Sequence, residues 1–173
     1  GGLHTWKGMY YISGQGTDQN TSEISGRKIS LFRSADFLTW QPTSALAFVR
    51  EGQHGDFATD HGEETHEGVS VWHRGNVLLG LYGIWHGGRD WPEHSIDLGF
   101  LVSNDGTHFR EPAVESVFIR RGDDGEWDQG GLIQGQGFEN VGDETYIWYG
   151  AWDPRFHSPF RPRGGLGLAI LER

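Results

Sequence analysis

An all-β fold of repeated four-stranded antiparallel sheets is predicted by three features of this 173-residue chain. A Gly turn leading into an apolar, aromatic-rich strand occurs three times: Gly8 before residues 9–12, Gly75 before residues 76–83 and Gly142 before residues 143–150, with 67 residues between successive turns. Gly contributes 28 residues and aromatics 13% of the chain, as expected of short strands joined by turns. Long runs with apolar residues at helical spacing are absent. A fixed period means that each unit buries its apolar face only against its neighbour.

The elements follow in chain order. After the strand at residues 9–12 comes Ile29-Ser30-Leu31-Phe32-Arg33, closed by the turn Ser34-Ala35-Asp36-Phe37-Leu38-Thr39-Trp40, and then Phe48-Val49-Arg50-Glu51-Gly52. The middle module repeats this order with Leu98-Gly99-Phe100-Leu101-Val102, the turn Ser103-Asn104-Asp105-Gly106-Thr107-His108-Phe109, and Phe118-Ile119-Arg120-Arg121-Gly122. Its four predicted strands are residues 68–74, 76–85, 96–104 and roughly 114–120. A further copy resumes at residues 166–171. Modules are therefore drawn at 1–60, 61–128 and 129–173, the last truncated.

Four antiparallel strands repeated radially make the blade of a β-propeller, which has about four to eight blades. A β-sandwich also gives regularly spaced strands, but matched turn chemistry at a constant period counts against it. Two and a half blades do not close a ring, so the chain reads as an excerpt of a longer protein. Taken alone, it would offer blade edges for self-association with another copy.

The formal charge of −10, from 24 acidic and 14 basic residues, argues against nucleic acid or an anionic membrane as partner, because phosphate binding draws on Lys and Arg. A neutral or cationic small ligand fits better. No Cys is present, which leaves the compartment open. No apolar stretch approaches the roughly 18 residues of a membrane span. Asn20-Thr21-Ser22 matches a glycosylation acceptor only by pattern.

Alternating strand direction sorts the polar residues onto one rim, which receives residues 51–67, 86–95, 121–136 and 153–163. Six of the nine histidines fall there: His54, His61, His66, His86, His94 and His157. Loops on a rigid scaffold are where binding and catalysis concentrate. Glu67 opens the innermost strand of the middle module, where apolar walls would raise its pKa and suit it to proton donation; a strand-edge carboxylate paired with Arg is the plainer alternative. Trp85, Trp91, Trp127 and Trp152 share this rim. Flat rings beside carboxylates and His offer a platform for the C–H face of a sugar, although Trp85 and Trp152, in equivalent places of successive modules, equally suit blade-to-blade packing. The expected substrate contacts are His66, His86, Trp91, His94, Trp127, Gln136 and Asp153. No specific metal spacing is present, so no cofactor is assigned, with a channel Ca²⁺ held by carboxylates the one ion the pattern allows.

The two Ser-x-Asp turns, at Ser34-Ala35-Asp36 and Ser103-Asn104-Asp105, resemble the element repeated in the five-bladed propeller glycosidases of glycoside hydrolase families 32, 43 and 68. The order from Ile96-Asp97 to Trp127-Asp128-Gln129-Gly130 is similar to the bacterial family-32-like group. The resemblance covers nearly the whole chain and implies three carboxylates projecting from the first strands of successive blades: a base or nucleophile, an orienting Asp and a general-acid Glu. Glu67 matches the acid, while Asp97 and Asp128 stand where the family-32-like group has Asp. The place one module before Glu67 is near Gly2-Leu3-His4, and one module after it is Gln134-Gly135-Gln136. The resemblance thus implies a glycoside hydrolase. A non-catalytic carbohydrate-binding propeller, a protein-interaction platform and a glycan phosphorylase using Arg155, Arg161, Arg163 and His157 are the alternatives.

Overall fold

Ten strands form three consecutive antiparallel sheets in a computed structural model that describes residues 2–16, 27–43, 46–50, 63–87, 93–114, 116–153 and 164–172. The first sheet is β1 (Leu3–Trp6), β2 (Met9–Gly16), β3 (Lys28–Ser34) and β4 (Gln41–Pro42) in that spatial order. The second is β5 (Glu63–His73), β6 (Leu78–His86) and β7 (Ser95–Ser103). The third is β8 (Leu132–Val141), β9 (Glu144–Trp152) and β10 (Gly164–Glu172). Each sheet is a meander of one continuous stretch of chain, as the repeat predicts, and every regular element among the described residues is a strand.

The three Gly turns are the hairpins joining the first two strands of each sheet. Gly8, Gly75 and Gly142 have φ of 80°, 75° and 61°, the left-handed region that favours Gly and matches the strand twist of a tight hairpin. The Ser-x-Asp turns are superimposable in their bonding. Asp36 Oδ1 accepts the amides of Leu38 and Thr39, and Asp105 Oδ1 accepts those of Thr107 and His108. The residue after each Asp is left-handed, Phe37 at φ 65° and Gly106 at φ 83°. Gly is obligatory in the second copy, because a Cβ there would lie 2.5 Å from the Trp6 ring of the first sheet.

Two apolar cores lie between successive sheets. Trp6, Tyr11, Ile29, Leu31 and Phe48 of the first sheet meet Val69, Val71, Leu78, Tyr82, Ile84 and Leu101 of the second. Leu81 and Leu98 then meet Leu132, Ile147 and Ala151 of the third, with Trp72 stacked on Phe138 at 3.9 Å. The middle sheet is covered on both sides, and β6 is accordingly buried along almost its whole length, whereas β1 alternates exposed and buried.

Equal spacing conceals a one-residue offset. Gly8 is the second residue of a two-residue turn closed by Trp6 and Met9, whereas Gly142 is the first residue of one closed by Val141 and Glu144. Tyr11 and Leu78 are 67 apart, yet they enter the same core from opposite sides. Strand side chains alternate with period two, so an offset of one reverses the face.

Among the described residues, the fourth strand expected at residues 114–120 is not formed. Its place beside β7 is held by two isolated bridges, Val102 to Arg110 and Leu98 to Ile119. Between them Pro112 lacks the amide a ladder would need, and the Glu111 side chain turns inward to Arg50 and Tyr82.

Candidate functional site

Strand direction gathers the expected rim at one end of the sheets. Glu63 pairs with His86, His86 with Ser95, and Leu132 with Ala151, while a parallel bridge joins Ile96 to Gly131. The Gly hairpins and Ser-x-Asp turns occupy the other end. Glu67 lies four residues along β5 from Glu63, so it and His86 belong to the same half of the sheet. Trp91, His54, His61 and the stretch holding Arg155, His157, Arg161 and Arg163 lie outside the described residues.

The innermost strand is broken at Glu67. Three residues of β5, numbers 67–69, stand opposite the single residue Tyr82, between the pairs His66 with Gly83 and Ser70 with Leu81. The third sheet repeats the irregularity: Gly135 and Gln136 are extra residues between the pairs Gln134 with Tyr149 and Gly137 with Trp148. Bulges remove ladder bonds and re-aim the chain, and the backbone groups they free must find other partners. The partners come from neighbouring sheets. Ser13 Oγ accepts the Val69 amide at 3.0 Å and donates to the Val69 carbonyl at 2.8 Å. Gln134 Nε2 donates to the Gly68 carbonyl at 2.7 Å. Gln136 Nε2 donates to the Val71 carbonyl at 2.9 Å, while its Oε1 accepts the Leu3 amide at 3.2 Å. The Gln136 carboxamide, expected to face substrate, therefore ties all three inner strands together. Gly2 completes this packing, since a Cβ on it would lie 2.2 Å from the Val69 carbonyl oxygen and 2.6 Å from Gln136 Oε1.

Asp97 is buried at the rim and holds two side chains, His86 and Arg121, in place. Its Oδ2 takes His86 Nε2 at 2.8 Å and Arg121 Nη1 at 2.6 Å, and its Oδ1 accepts the Arg121 amide at 2.8 Å. Burial by itself pushes this carboxyl up. The bonds from His86 and the Arg121 amide, with the charges of Arg121 and His86, outweigh burial and leave it below the ordinary carboxylate range. Both oxygens are thereby engaged, and the carboxylate orients His86, whose side chain remains 26% exposed. Trp85, one residue back along β6, is directed to the opposite face, as strand alternation requires.

On that face the expected contacts His66 and His94 pack against the Trp85 ring, at 4.4 Å and 5.2 Å between centroids, and the Arg27 guanidinium lies 4.2 Å from the same ring. All three aromatic groups are buried, so Trp85 is core and the two histidines belong to its shell. Burial, reinforced by the Arg27 charge, lowers the His66 pKa to about 3.

Among the described residues of this rim, Trp127 is an exposed aromatic, 49% accessible. It stacks on Tyr149 with 14° between the planes, over Gly165, where a Cβ would meet the ring at 2.6 Å. Tyr149 donates to Asp128 Oδ2 at 3.3 Å, and Asp128 is buried against Gly122. Burial, followed by the Asp128 charge, raises the Tyr149 pKa. Asp153, at the end of β9, is also buried. The structure thus forms three clusters: His86 with Asp97 and Arg121; His66 with Trp85 and His94; Trp127 with Tyr149 and Asp128. Among the described residues no three His, Asp or Glu side chains are grouped to hold a metal ion.

Sequence reasoning did not anticipate Arg121 or the buried triad Arg50–Tyr82–Glu111, in which Tyr82 donates to Glu111 and Arg50 reaches both. A signal existed for Tyr82. Tyr149 follows it by 67 residues, and each lies across from a Gly, Gly99 and Gly167, in the adjoining strand.

No family model and no curated protein matches the sequence. Solved structures match it by fold. An N-acetylgalactosamine deacetylase from F. plautii, in complex with blood group B trisaccharide, aligns with TM-score 0.59 and 16% identity over 96% of this chain and 47% of its own. A Bombyx mori family 32 β-fructofuranosidase variant in complex with sucrose aligns with TM-score 0.59 and 14% identity over 99% of this chain and 33% of its own. A structure described under the GH130 family of mannoside phosphorylases, which contains glycoside hydrolases targeting β-1,2 mannosidic linkages in Candida mannan, aligns with TM-score 0.52 and 9% identity over 86% of this chain and 42% of its own. The fold is that of the β-propellers in these carbohydrate-active proteins, and the chain spans less than half the length of each.

Proposed function

We propose that the chain is part of a carbohydrate-active propeller that hydrolyses a glycosidic bond, with the Glu67 carboxyl as general acid. The observation that supports this assignment is the bulge of β5, which interrupts the innermost strand at Glu67 and draws its backbone partners from both neighbouring sheets. Bulges concentrate beside active sites because they redirect a side chain out of the pleat. The other two candidate carboxylates are committed, Asp97 to His86 and Arg121, and Asp128 to Tyr149. On this reading Glu67 is the acid that protonates the leaving glycosidic oxygen. A second carboxylate from beyond these 173 residues acts as nucleophile or as base on water, and its separation from Glu67 sets retention or inversion. The acidic balance of the chain and the exposed Trp127 ring suit a neutral sugar, with its C–H face against the aromatic.

One observation favours a second reading, a propeller that binds glycan without cleaving it. Gln134 stands 67 residues after Glu67, at the edge of the matching bulge, with its amide already bonded to backbone, so the repeat does not itself supply a second inner-strand carboxylate. Incubation of the full-length protein with a panel of oligosaccharides, followed by NMR of the products, separates the two. Release of a sugar with a defined initial anomer supports the hydrolase. Saturable binding with every glycan left intact supports the binder.

A further inference from the structure

Resting on the reading of Glu67 as the acid, we infer that Ser13 and Gln134 are positioning residues: a clamp from the two neighbouring sheets that fixes the β5 backbone on which Glu67 is carried. β5 is the edge strand of its sheet, and across residues 67–69 it also loses register with β6. Its freed amide and carbonyls are buried between sheets, where leaving them unpaired is costly.

The clamp is specific in donor and acceptor. Ser13 Oγ is buried and uses its full capacity, accepting the Gly2 amide at 2.8 Å and the Val69 amide at 3.0 Å while donating to the Val69 carbonyl at 2.8 Å. Gln134 acts from the other side through the Gly68 carbonyl at 2.7 Å. The peptide groups gripped are those joining Gly68 to Val69 and Val69 to Ser70, the second and third after Glu67. A bulge held only by its own strand would exchange among several backbone arrangements; gripped from two sheets, it presents one. General-acid catalysis needs that precision, because the proton must reach the leaving oxygen over hydrogen-bond distance.

A structural pin and a positioning clamp differ in what their loss does. Acid assistance matters for a sugar or alkyl leaving group and little for 4-nitrophenolate, which departs without a proton. The test compares the full-length protein with Ser13→Ala, Ser13→Thr, Gln134→Glu and Glu67→Gln. Each is assayed on a 4-nitrophenyl glycoside and on a disaccharide of the same sugar, with amide hydrogen exchange at Val69 measured in parallel. Gln134→Glu preserves shape and removes the donor. The expected result is exchange at Val69 at least about tenfold faster in Ser13→Ala and Gln134→Glu, with kcat on the disaccharide falling about 10- to 100-fold more than kcat on the nitrophenyl substrate. Ser13→Thr, which keeps a hydroxyl, should restore both. Unchanged exchange at Val69, or an equal fall on both substrates while Glu67→Gln shows the selective loss, overturns the clamp. If Glu67→Gln itself shows no selective loss, the assignment of the acid fails and the positioning role with it, while faster Val69 exchange would still record the grip. Should Ser13→Ala not fold, Gln134→Glu carries the same comparison.

Discussion

His86 Nε2 and Arg121 Nη1 converge on one oxygen of Asp97, at 2.8 Å and 2.6 Å. The carboxylate joins β6, β7 and the segment after Ile119 at the rim, so its removal leaves a guanidinium and an imidazole facing each other without their common partner. Asp97→Asn should cost about 2–4 kcal/mol at pH 7, measured by urea denaturation. The pH dependence has a definite sign. A carboxyl held below its unfolded pKa of about 3.9 contributes stability that is fully present above that value and fades as pH falls toward its folded pKa. The gap between wild type and Asp97→Asn should therefore be constant from pH 7 to about 5 and narrow below about 4. A gap of the same size at pH 3 would contradict the account.

His66 gives a loss of the same sign in a higher pH window. Its folded pKa of about 3 lies below the unfolded value of about 6.5, so the unfolded chain binds the proton first and stability falls as pH drops below about 6.5. At pH 5 the loss attributable to His66 should be roughly 2 kcal/mol, absent from His66→Gln. The direct check is an NMR titration of the ring, which should stay neutral at pH 5; a midpoint near 6.5 would exclude burial beneath Trp85.

The two Tyr–Gly pairs predict unequal responses to one substitution. A Cβ on Gly99 would stand 2.2 Å from the ring of Tyr82, and a Cβ on Gly167 would stand 2.2 Å from that of Tyr149. Tyr82 is fully buried and fixed by Arg50 and Glu111, whereas Tyr149 is partly exposed and, among the described residues, hydrogen-bonded through Asp128 at 3.3 Å. Gly99→Ala should cost about 2–3 kcal/mol and Gly167→Ala about 1 kcal/mol or less, read from thermal denaturation. Equal costs would show that Tyr82 can move as freely as Tyr149.

Much of the fold was legible because its signals are local. Gly at left-handed turns and the Asp of each Ser-x-Asp turn act within four residues, so the hairpins, the strand order and the sharing of a rim by Glu67 and His86 follow from sequence. Facing was less legible. A one-residue offset in where Gly sits within the two-residue turns at Gly8 and Gly142 reverses a strand without altering the 67-residue period. The site was the least legible part, because the same residue types serve structure and chemistry. His66 and His94 line the shell of Trp85, Gln136 ties inner strands, and Asp97 holds His86; each is decided by contacts far apart in sequence. Ser13 lies 56 residues from Val69, and nothing near it in the chain marks it.

The most direct test of the central claim is the comparison of wild type with Glu67→Gln in the full-length protein, measuring both turnover of an unactivated oligosaccharide and its binding by calorimetry. The account predicts a fall in kcat of about 10²- to 10⁴-fold, with Kd for the sugar within about twofold. Turnover at the wild-type rate in Glu67→Gln would contradict it.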